Sequence, residues 1–412
     1  MLEEAWFDLS DVSDVERFGI MDFEYPKEAV AFRTELRAFL DQEIPSWWTN
    51  LFAHDDRIIP FTLEFCSKLA AKGWLTMAWP KEYGGGDADV WHQNVVREEM
   101  WRCGEPRGPQ YMNLNYIGPA IMMFGTDEQK EKYIKPMAAG EVIWCQGWSE
   151  PDVGSDLANL RTRAEDTGSG FRINGQKIWT SYAAHAEHCF LMARTNPDAP
   201  KHKGLSMFLV DMDTPGVTVR PIESMGGPIE FHEVFFDDAE IPHEALLGPL
   251  DQGWKVAMSA LEGERAGVGY AGLYGSQLDQ LLRFAKESQD GTGRRVSQRP
   301  DARDRLVRLR ALNRALRLLM YKVVANQTVD DSVLVESAIY KTLAGDMSMQ
   351  IAHLAMDVAG PRGFLLEQDP MVTLGDGAYT WWTHALPVQV AVGSSEIQRN
   401  IIAQRGLGLP RG

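Results

Sequence analysis

The sequence predicts an α+β protein in which a helical part, a strand-rich part and a second helical part follow one another along the chain. Apolar residues recur with helical spacing in the first third, short β-branched and aromatic runs fill the middle, and the helical period returns after Gly253. Such segregation argues against an alternating βαβ sheet. We therefore predict an N-terminal helical domain at 1–141, a middle β domain at 142–250 and a C-terminal helical domain at 251–412.

The first helix is predicted to begin near Pro26, because apolar residues recur there at three- and four-residue spacing along one stripe. Residues 61–72 show the same pattern and end at Gly73, a residue that commonly terminates helices. Further helical sequence continues to about residue 140. The stripe of the first helix consists of Ala29, Phe32, Leu36, Phe39 and Leu40.

Short strands are predicted between about residues 143 and 248, where β-branched and aromatic runs are separated by Gly, Pro, Asn and Asp. The pair Asn174-Gly175 lies between two such runs and is typical of a type I′ hairpin turn. About five to seven strands fit into this segment, which is enough for a sandwich or a barrel.

Two long helices are predicted in the C-terminal part. One is amphipathic with arginine-rich polar faces, and the other, at 333–358, is rich in methionine. The apolar stripe of the first consists of Leu306, Leu309, Leu312, Leu316, Leu319 and Val323.

The charge balance and the cysteine pattern narrow the class of protein. The 412 residues include 41 Lys and Arg against 58 Asp and Glu, a formal net charge of −17, so no nucleic-acid partner is expected. The four cysteines form no CxxC pair, and we expect free thiols and no metal site. The first ten residues carry no apolar signal region, and no apolar run of ~18 residues follows. We therefore expect a cytoplasmic enzyme with no membrane partner.

Two motifs have structural explanations that outweigh the functional ones. The GxGxxG at 267–272 follows helical sequence without a βαβ unit, so small residues at a helix–helix contact explain it better than a dinucleotide site. His185 and His188 lie beside Cys189, but no further group of ligands accompanies them, and a structural role is favoured over a metal.

Two polar turns are better candidates for a ligand site. The segment WCQGWSEPDVGSDLANL at 144–160 places hydroxyls, Pro, Gly and acids after a strand, where free backbone N–H groups can meet an oxygen-rich ligand. The segment INGQKIWTS at 173–181 presents Trp179 beside two hydroxyls, which suits a flat aromatic ligand. Taken singly, an ordinary turn explains the first segment better, and core packing explains the second equally well.

Taken together, the motifs resemble those of the acyl-CoA dehydrogenase family. The resemblance covers about residues 25 to 410 and is carried, in order, by WPKEYGG, FGTDEQKEKYI, SEPxxGSD, NGQKxWTS, EVFFDDAEIP, GWxVAMxxLxxER and SSEIQRNIIAxxGLGLPR. The fold that it implies has an N-terminal helical domain, a middle β-barrel and a C-terminal four-helix bundle. The extended pattern also resembles bacterial subunits that dehydrogenate steroid side chains and other bulky acyl-CoA esters.

The resemblance implies an FAD-dependent enzyme that oxidises an acyl-CoA thioester to the 2-enoyl-CoA, with electron-transfer flavoprotein as electron acceptor. Trp179 would pack against the flavin ring, and Thr180 and Ser181 would donate to its polar edge. The other cofactor residues that the motifs imply are Gln146, Trp148, Ser149, Ser155 and Ser394, of which Ser155 would also meet the substrate.

The catalytic base is expected in an unusual place. Many family members carry it in a YEGTSEIQR string, where this chain has Val392, which cannot accept a proton. A second family arrangement places it just before an arginine in the first C-terminal helix, where Glu264-Arg265 stands. Glu264 shares the apolar face of that predicted helix, and burial raises a carboxyl pKa toward the range useful for a base. A glutamate held by a structural arginine is the alternative. Arg265 and the Val392 backbone N–H would contact the substrate.

This chain departs from the family pattern at the residues with which a subunit of a typical member binds the FAD of its neighbour. The segment 287–306 has Arg294 and Arg295 but lacks the usual aromatic-Gly pair, and Asp357 replaces an amide near the expected diphosphate. We therefore weigh a heterotetramer with a second family member against a homo-oligomer, dimer or tetramer. The position of the base is associated in the family with branched or long acyl groups. Acyl-CoA or nitroalkane oxidase chemistry and a non-catalytic partner subunit remain alternatives.

Overall fold

A computed structural model of the chain describes residues 25–410, apart from 54, 228–229, 268, 329–331, 367–368 and 376. The side chains of 262–267 and 328 also lie outside the described part. Helices, a sheet and a second set of helices follow one another as the sequence predicts, so the α+β class is confirmed. Across the described residues, no helix is long and apolar enough to span a bilayer.

The N-terminal part consists of helices, with a π-helical turn at Asn113–Ile117. The helices are α1 (Lys27–Glu43), α2 (Ile58–Ala71), α3 (Val90–Arg102), α4 (Gln110–Met112), α5 (Gly118–Phe124) and α6 (Asp127–Ala139). Thr126 and Gln129 form a reciprocal cap at the start of α6. Gly73, just beyond α2, has a φ of 69°, which explains why a glycine terminates this helix.

The stripe predicted for α1 is confirmed. Its members Ala29, Leu36 and Leu40 are buried, whereas Phe32 and Phe39 are half-buried against the same core. The core also takes up side chains from α2, α3, α5 and α6, so α1 is held by apolar burial along one face.

A buried ionic cluster connects the N-terminal part with the C-terminal part. Glu98 of α3 accepts a hydrogen bond of 2.6 Å from Arg33 of α1 and one of 3.2 Å from the Tyr25 hydroxyl. The Nε of Arg317, which belongs to the C-terminal part, lies 2.6 Å from the same carboxylate. The Glu98 side chain is 6% exposed, so these partners rather than water surround its carboxylate.

The strands of the middle part are β1 (Trp144–Gly147), β2 (Arg163–Asp166), β3 (Gly170–Lys177), β4 (His188–Arg194), β5 (Leu205–Asp211), β6 (Val217–Pro221), β7 (His232–Pro242) and β8 (Leu246–Leu247). They form one sheet with the strand order β6-β7-β3-β2-β4-β5-β8, in which β1 pairs in parallel with β4. Side chains of β4 alternate between two cores: Cys189 and Leu191 face the core of the sheet domain, and Phe190 and Met192 face the core of the N-terminal helices.

The hairpin predicted at Asn174-Gly175 is wrong. Strand β3 runs through both residues, and the pairing with β7 shifts register between Ile173 and Gly175, which marks a bulge. A Cβ on Gly175 would lie 2.7 Å from the Cα of Thr162, so this glycine is required by the close approach of another segment. Among the described residues the sheet has eight strands, more than the five to seven expected, and two of them, β1 and β8, are short.

The helices of the C-terminal part are α7 (Gly253–Gly267), α8 (Tyr270–Glu287), α9 (Pro300–Thr328), α10 (Leu334–Ala359), α11 (Ala378–Val388) and α12 (Ser395–Ile401). Of these, α8, α9, α10 and α11 form a bundle around one core. The stripe predicted for α9 is confirmed, since Leu306, Leu309, Leu316 and Val323 are buried. The helix–helix interpretation of the GxGxxG is confirmed at Gly272, where a Cβ would lie 2.3 Å from the Glu98 carbonyl oxygen of α3.

Candidate functional site

A buried ion pair anchors the polar turn that follows β1. The Glu150 carboxylate accepts the backbone N–H groups of Arg161 at 2.6 Å and Thr162 at 2.8 Å. Its third partner is Lys177 of β3, whose Nζ lies 2.9 Å from Glu150 and 3.0 Å from the carbonyl oxygen of Trp148. The pair therefore binds the turn to the end of β3 and fixes the backbone at Trp148.

Burial and pairing act in opposite directions on the two charges. Burial raises the pKa of Glu150, but Lys177 and the hydrogen bond from the Thr162 backbone N–H outweigh it and hold the pKa below its usual value. Burial lowers the pKa of Lys177, and the attraction of Glu150 does not fully compensate. With both side chains buried, each charge is tolerated only because the other is present.

The same turn carries the first set of predicted cofactor residues. The Trp148 side chain is buried, and its indole Nε1 has no hydrogen-bond partner among the described residues. Gln146 on β1 accepts a hydrogen bond of 3.0 Å from the Tyr116 hydroxyl. Ser149 is half-buried and Ser155 is exposed on the turn.

The turn after β3 presents Trp179 to solvent in a strained conformation. Trp179 and Tyr182 have φ values of 60° and 58°, which non-glycine residues rarely adopt. The Trp179 side chain is 57% exposed and meets Phe231 edge to face. Two left-handed residues within four positions indicate a functional segment, since such strain persists only where surrounding contacts impose it.

Backbone hydrogen bonds hold the Trp179 turn in this conformation. Thr180 N–H donates to the His232 carbonyl at 3.0 Å, and His232 N–H returns a bond of 3.2 Å to Thr180. Ile178 N–H donates to the Ser149 carbonyl at 3.0 Å, which places the two predicted cofactor segments side by side. The Thr180 hydroxyl is buried without a hydrogen-bond partner within the described part of the chain.

The second set of predicted residues lies in the loop before α12. Val392 has a φ of 57°, an outlier for a β-branched residue, and Gly393 follows at 83°. Gln398, whose side chain is buried, donates from Nε2 to the Val392 carbonyl at 2.9 Å and to the Gly393 carbonyl at 3.3 Å. Ser394 caps α12 by accepting the Ile397 N–H at 3.4 Å. The Ser394 hydroxyl therefore already stabilises the start of α12.

Helix α7 carries the backbone of Glu264 and Arg265, but the side chains of both lie outside the described residues. Of the apolar face predicted for this helix, Ala257 and Ala260 are buried and Leu261 is half-buried. The assignment of Glu264 as base thus stays a prediction.

The residues at the positions expected to contact the FAD of a neighbouring subunit lie elsewhere, on the C-terminal bundle. Arg294 and Arg295 are exposed, and Arg294 lies 3.5 Å from Asp290. Asp357 at the end of α10 is exposed and pairs with Arg305 of α9 at 2.5 Å. Both side chains line a cleft of about 400 Å³ with Phe364, and further lining comes from His353, Met356 and Trp382.

His188, considered above as a metal ligand, bonds Asp211 through Nδ1 at 2.8 Å and packs against Trp144. No cluster of three or more His, Cys, Asp or Glu side chains suited to a metal occurs in the described ranges.

Sequence reasoning missed four residues of this region. Glu150 lies inside the motif SEPxxGSD and Lys177 inside NGQKxWTS. An acidic and a basic residue, each beside a buried segment, were the sequence signal that could have indicated their ion pair. Gln398 also stands inside a motif. Glu230 has no motif around it, and only the hydrogen bond from the Tyr182 N–H to its carbonyl oxygen places it beside the Trp179 turn.

The site has features that suit a flat aromatic cofactor. The exposed Trp179 offers a ring face, and buried polar atoms of Trp148 and Thr180 have no partner among the described residues. Buried polar atoms without partners are rare in folded proteins, so both positions suit hydrogen bonds to a ligand. The residues present fit a flavin.

Comparison with known proteins agrees with a cofactor of this kind. Family models describing the acyl-CoA dehydrogenase N-terminal, middle and C-terminal domains match residues 26–141, 145–239 and 251–407. The chain belongs to the acyl-CoA dehydrogenase family. Members of this family bind FAD and are oxidoreductases acting on the CH–CH bond of acyl-CoA, and this chain is an FAD-dependent enzyme of that kind.

Individual relatives are similar over most of the chain. Acyl-CoA dehydrogenase IpdE1 of Mycobacterium tuberculosis is 36% identical over 351 residues, which cover 84% of this chain and 87% of that protein. The solved structure of the Tcur3481-Tcur3483 steroid ACAD has a TM-score of 0.85 at 30% identity and covers 95% of this chain and 100% of that one. The ChsE4-ChsE5 complex of Mycobacterium tuberculosis has a TM-score of 0.85 at 28% identity, with coverage of 95% and 100%.

Proposed function

We propose that this chain dehydrogenates the α,β bond of a long, branched or otherwise bulky acyl-CoA ester, with Glu264 as catalytic base. The observation that carries the proposal is Val392, because an alkyl side chain stands where many family members have the base. The base must then come from another element, and Glu264 precedes Arg265 on a helix whose apolar face is buried.

The proposed division of labour follows from the chemistry of each residue. Glu264 removes the α-proton of the thioester onto its carboxylate, and the flavin, when bound, supplies the hydride acceptor. Trp179 covers the ring, and Thr180 and Ser181 meet its polar edge. Trp148, Ser149 and Ser155 of the adjacent turn line the cofactor, together with Gln146 of β1 and Ser394 before α12. Ser155 and Arg265 meet the acyl-CoA.

The backbone N–H of Val392 is proposed to bind the thioester oxygen. Loss of a side-chain base leaves this N–H unchanged, and a preorganised donor stabilises charge that develops on the oxygen as the proton leaves. Support comes from the buried Gln398, whose two bonds to the carbonyls of Val392 and Gly393 hold the peptide in its left-handed conformation.

Turnover of matched variants tests the base. Glu264→Gln should abolish turnover while flavin content stays at the wild-type level, because the amide cannot accept the proton. Glu262→Gln, on the same helix but off the predicted apolar face, is the control and should retain activity. Full activity of the Glu264 variant would refute the assignment.

The bulky acyl group is supported by the position of the base and by the similarity to a structure that is named as a steroid ACAD. A panel of acyl-CoA esters ranked by kcat/KM tests it. Branched, long or polycyclic acyl groups should rank above butyryl-CoA, and butyryl-CoA as the best substrate would contradict the proposal.

We propose further that the chain works in a heteromer with a second family member and passes electrons to electron-transfer flavoprotein. Two similar structures are named for pairs of proteins. In this chain Asp357 replaces an amide and forms an ion pair with Arg305 at 2.5 Å. Because its charge is paired, Arg305 attracts a diphosphate less strongly than an unpaired arginine would. Flavin per subunit, measured on the chain expressed alone, separates the alternatives: one tightly bound FAD per chain in a homo-oligomer would refute the heteromer.

A further inference from the structure

Lys341 of α10 is a buried cation that the proposed mechanism does not use. The residue is 4% exposed, and its Nζ donates to the carbonyl oxygen of Gln389 at 3.4 Å. Burial lowers the pKa of Lys341 to about 8 against the attraction of Glu396 on α12, so the ammonium form predominates at pH 7. Lysine is almost never fully buried unless it is paired, so its contact with Gln389 indicates a specific role.

Gln389 lies at the C-terminal end of α11, where a cation is favoured by the helix dipole. Its side chain donates from Nε2 to the carbonyl oxygen of Gly345, which lies one turn after Lys341 on α10. A Cβ on Gly345 would lie 3.3 Å from that Nε2, so a glycine allows this close approach. Two positions on one face of α10 therefore hold Gln389, one through its carbonyl and one through its side chain.

Gln389 also closes the segment that carries Val392, which we call the 389–395 loop. The Ser395 N–H donates to the Gln389 carbonyl oxygen at 3.0 Å, and the Ser395 hydroxyl donates to Gln389 Oε1 at 3.1 Å. The carbonyl oxygen bound by Lys341 is thus the same atom that joins the two ends of the loop. The arrangement of the loop therefore depends on where α10 holds this carbonyl.

Val392 lies within this loop with its N–H free for a ligand. The N–H groups of Val390 and Ala391 both donate to the Pro387 carbonyl, at 2.9 and 2.8 Å, whereas the Val392 N–H donates to none of the described residues. The Val392 carbonyl is bound on its other side by Gln398 at 2.9 Å. The direction of the unused N–H is therefore set by the loop that carries it.

We propose that Lys341 is a positioning residue: by holding the Gln389 carbonyl, it keeps the 389–395 loop in the arrangement that directs the Val392 N–H at the thioester oxygen. Lys341 acts through Gln389 and the loop rather than on the reacting atoms. A donor of this kind must be held in place before the reaction, because a small displacement weakens its stabilisation of the developing charge. The proposal rests on the proposed function, which assigns the Val392 N–H to the thioester oxygen.

Steady-state kinetics of the purified holoenzyme, with its partner subunit where one is required, test this role. The substrate is the ester that the wild type uses best in the acyl-CoA panel, and rates are expressed per bound flavin. Lys341→Met should lower kcat by about 10- to 100-fold, because the donor is displaced in the transition state. KM should change by less than about threefold, because the contacts that bind the ester itself remain.

A matched control separates this role from a loss of charge or of stability alone. Lys322→Met removes an exposed lysine of α9 that lies 3.4 Å from Glu336, and it should change neither kcat nor KM. A lysine with only a structural role would lower the stability of the protein and leave kcat per flavin unchanged. A kcat of the Lys341 variant within about twofold of the wild type would therefore overturn the proposal.

Two further variants test the route through Gln389. Ser395→Ala removes the hydroxyl bonded to Gln389 and should lower kcat by about threefold to tenfold, the effect of one neutral hydrogen bond. Combined with Lys341→Met, its effect should be smaller than alone, because both act on one residue, and losses that multiply fully would overturn the proposal. Should Lys341→Met bind no FAD, Lys341→Gln takes its place with the same expected loss of kcat and the same limit. Absence of wild-type turnover with every ester would instead refute the proposed function, so it is measured first.

Discussion

Replacing Lys177 by methionine should lower the free energy of unfolding of the protein by weakening the turn that carries Trp148. The substitution keeps the bulk of the side chain but removes the bonds to Glu150 at 2.9 Å and to the Trp148 carbonyl at 3.0 Å. It leaves the Glu150 carboxylate buried with only two backbone donors. Breaking a buried pair by removing one partner typically costs about 3–5 kcal/mol, and we expect a loss of stability in that range.

Urea unfolding followed by circular dichroism measures the loss, and flavin content reports on the Trp148 turn. Lys201→Met, which removes an exposed lysine paired with Asp156, is the control and should change little. The double variant Glu150→Gln with Lys177→Met should recover part of the loss, because no unpaired charge remains buried. A Lys177 variant within about 1 kcal/mol of the wild type, with full flavin content, would refute this reasoning.

Three further predictions concern stability and are checked by the same unfolding measurement. Gly175→Ala should cost more than about 2 kcal/mol because its Cβ meets the neighbouring segment, whereas Gly168→Ala, also at positive φ but with open space, should cost about 1 kcal/mol. Glu98→Gln should cost about 2–4 kcal/mol by leaving two arginines facing each other, while Glu131→Gln at an exposed pair should change little. The raised pKa of Glu230 implies stability that is complete below its ordinary value of 4.5 and is lost as pH rises to about 7, so Glu230→Gln should be more stable than wild type at pH 8, by at most about 3 kcal/mol. Equal costs for the two glycines, equal costs for the two glutamates, or equal stability at pH 8 would contradict the respective explanations.

Local patterns were sufficient to predict the order of elements. The stripes of α1 and α9 repeat within the span of a helix, and their buried members Leu36 and Leu316 follow the predicted faces. The Asn174-Gly175 prediction failed because this dipeptide suits a turn and a bulge alike. What decided between them was tertiary pairing: Asn174 pairs with Arg163 of β2, and the adjacent Thr162 approaches Gly175 closely.

The candidate site could be predicted where its parts lie within motifs. The motifs placed Ser149 and Trp179 on two segments, and the bond from Ile178 N–H to the Ser149 carbonyl joins these segments. The position of Glu230 depends on the path of the loop before β7, and the pairing of Asp357 depends on Arg305 from another helix. Neither contact has a local sequence signal, because each is set by tertiary packing.

Anaerobic mixing of the purified holoenzyme, with its partner subunit where one is required, with a bulky acyl-CoA tests the dehydrogenation itself. Flavin absorbance and the mass of the CoA ester are followed in the same sample, with Glu264→Gln alongside. The account predicts bleaching of the flavin with loss of two hydrogens from one ester per flavin, and neither change in the variant. A flavin that stays oxidised in the wild type, or one that bleaches without a 2-enoyl-CoA product, would contradict it.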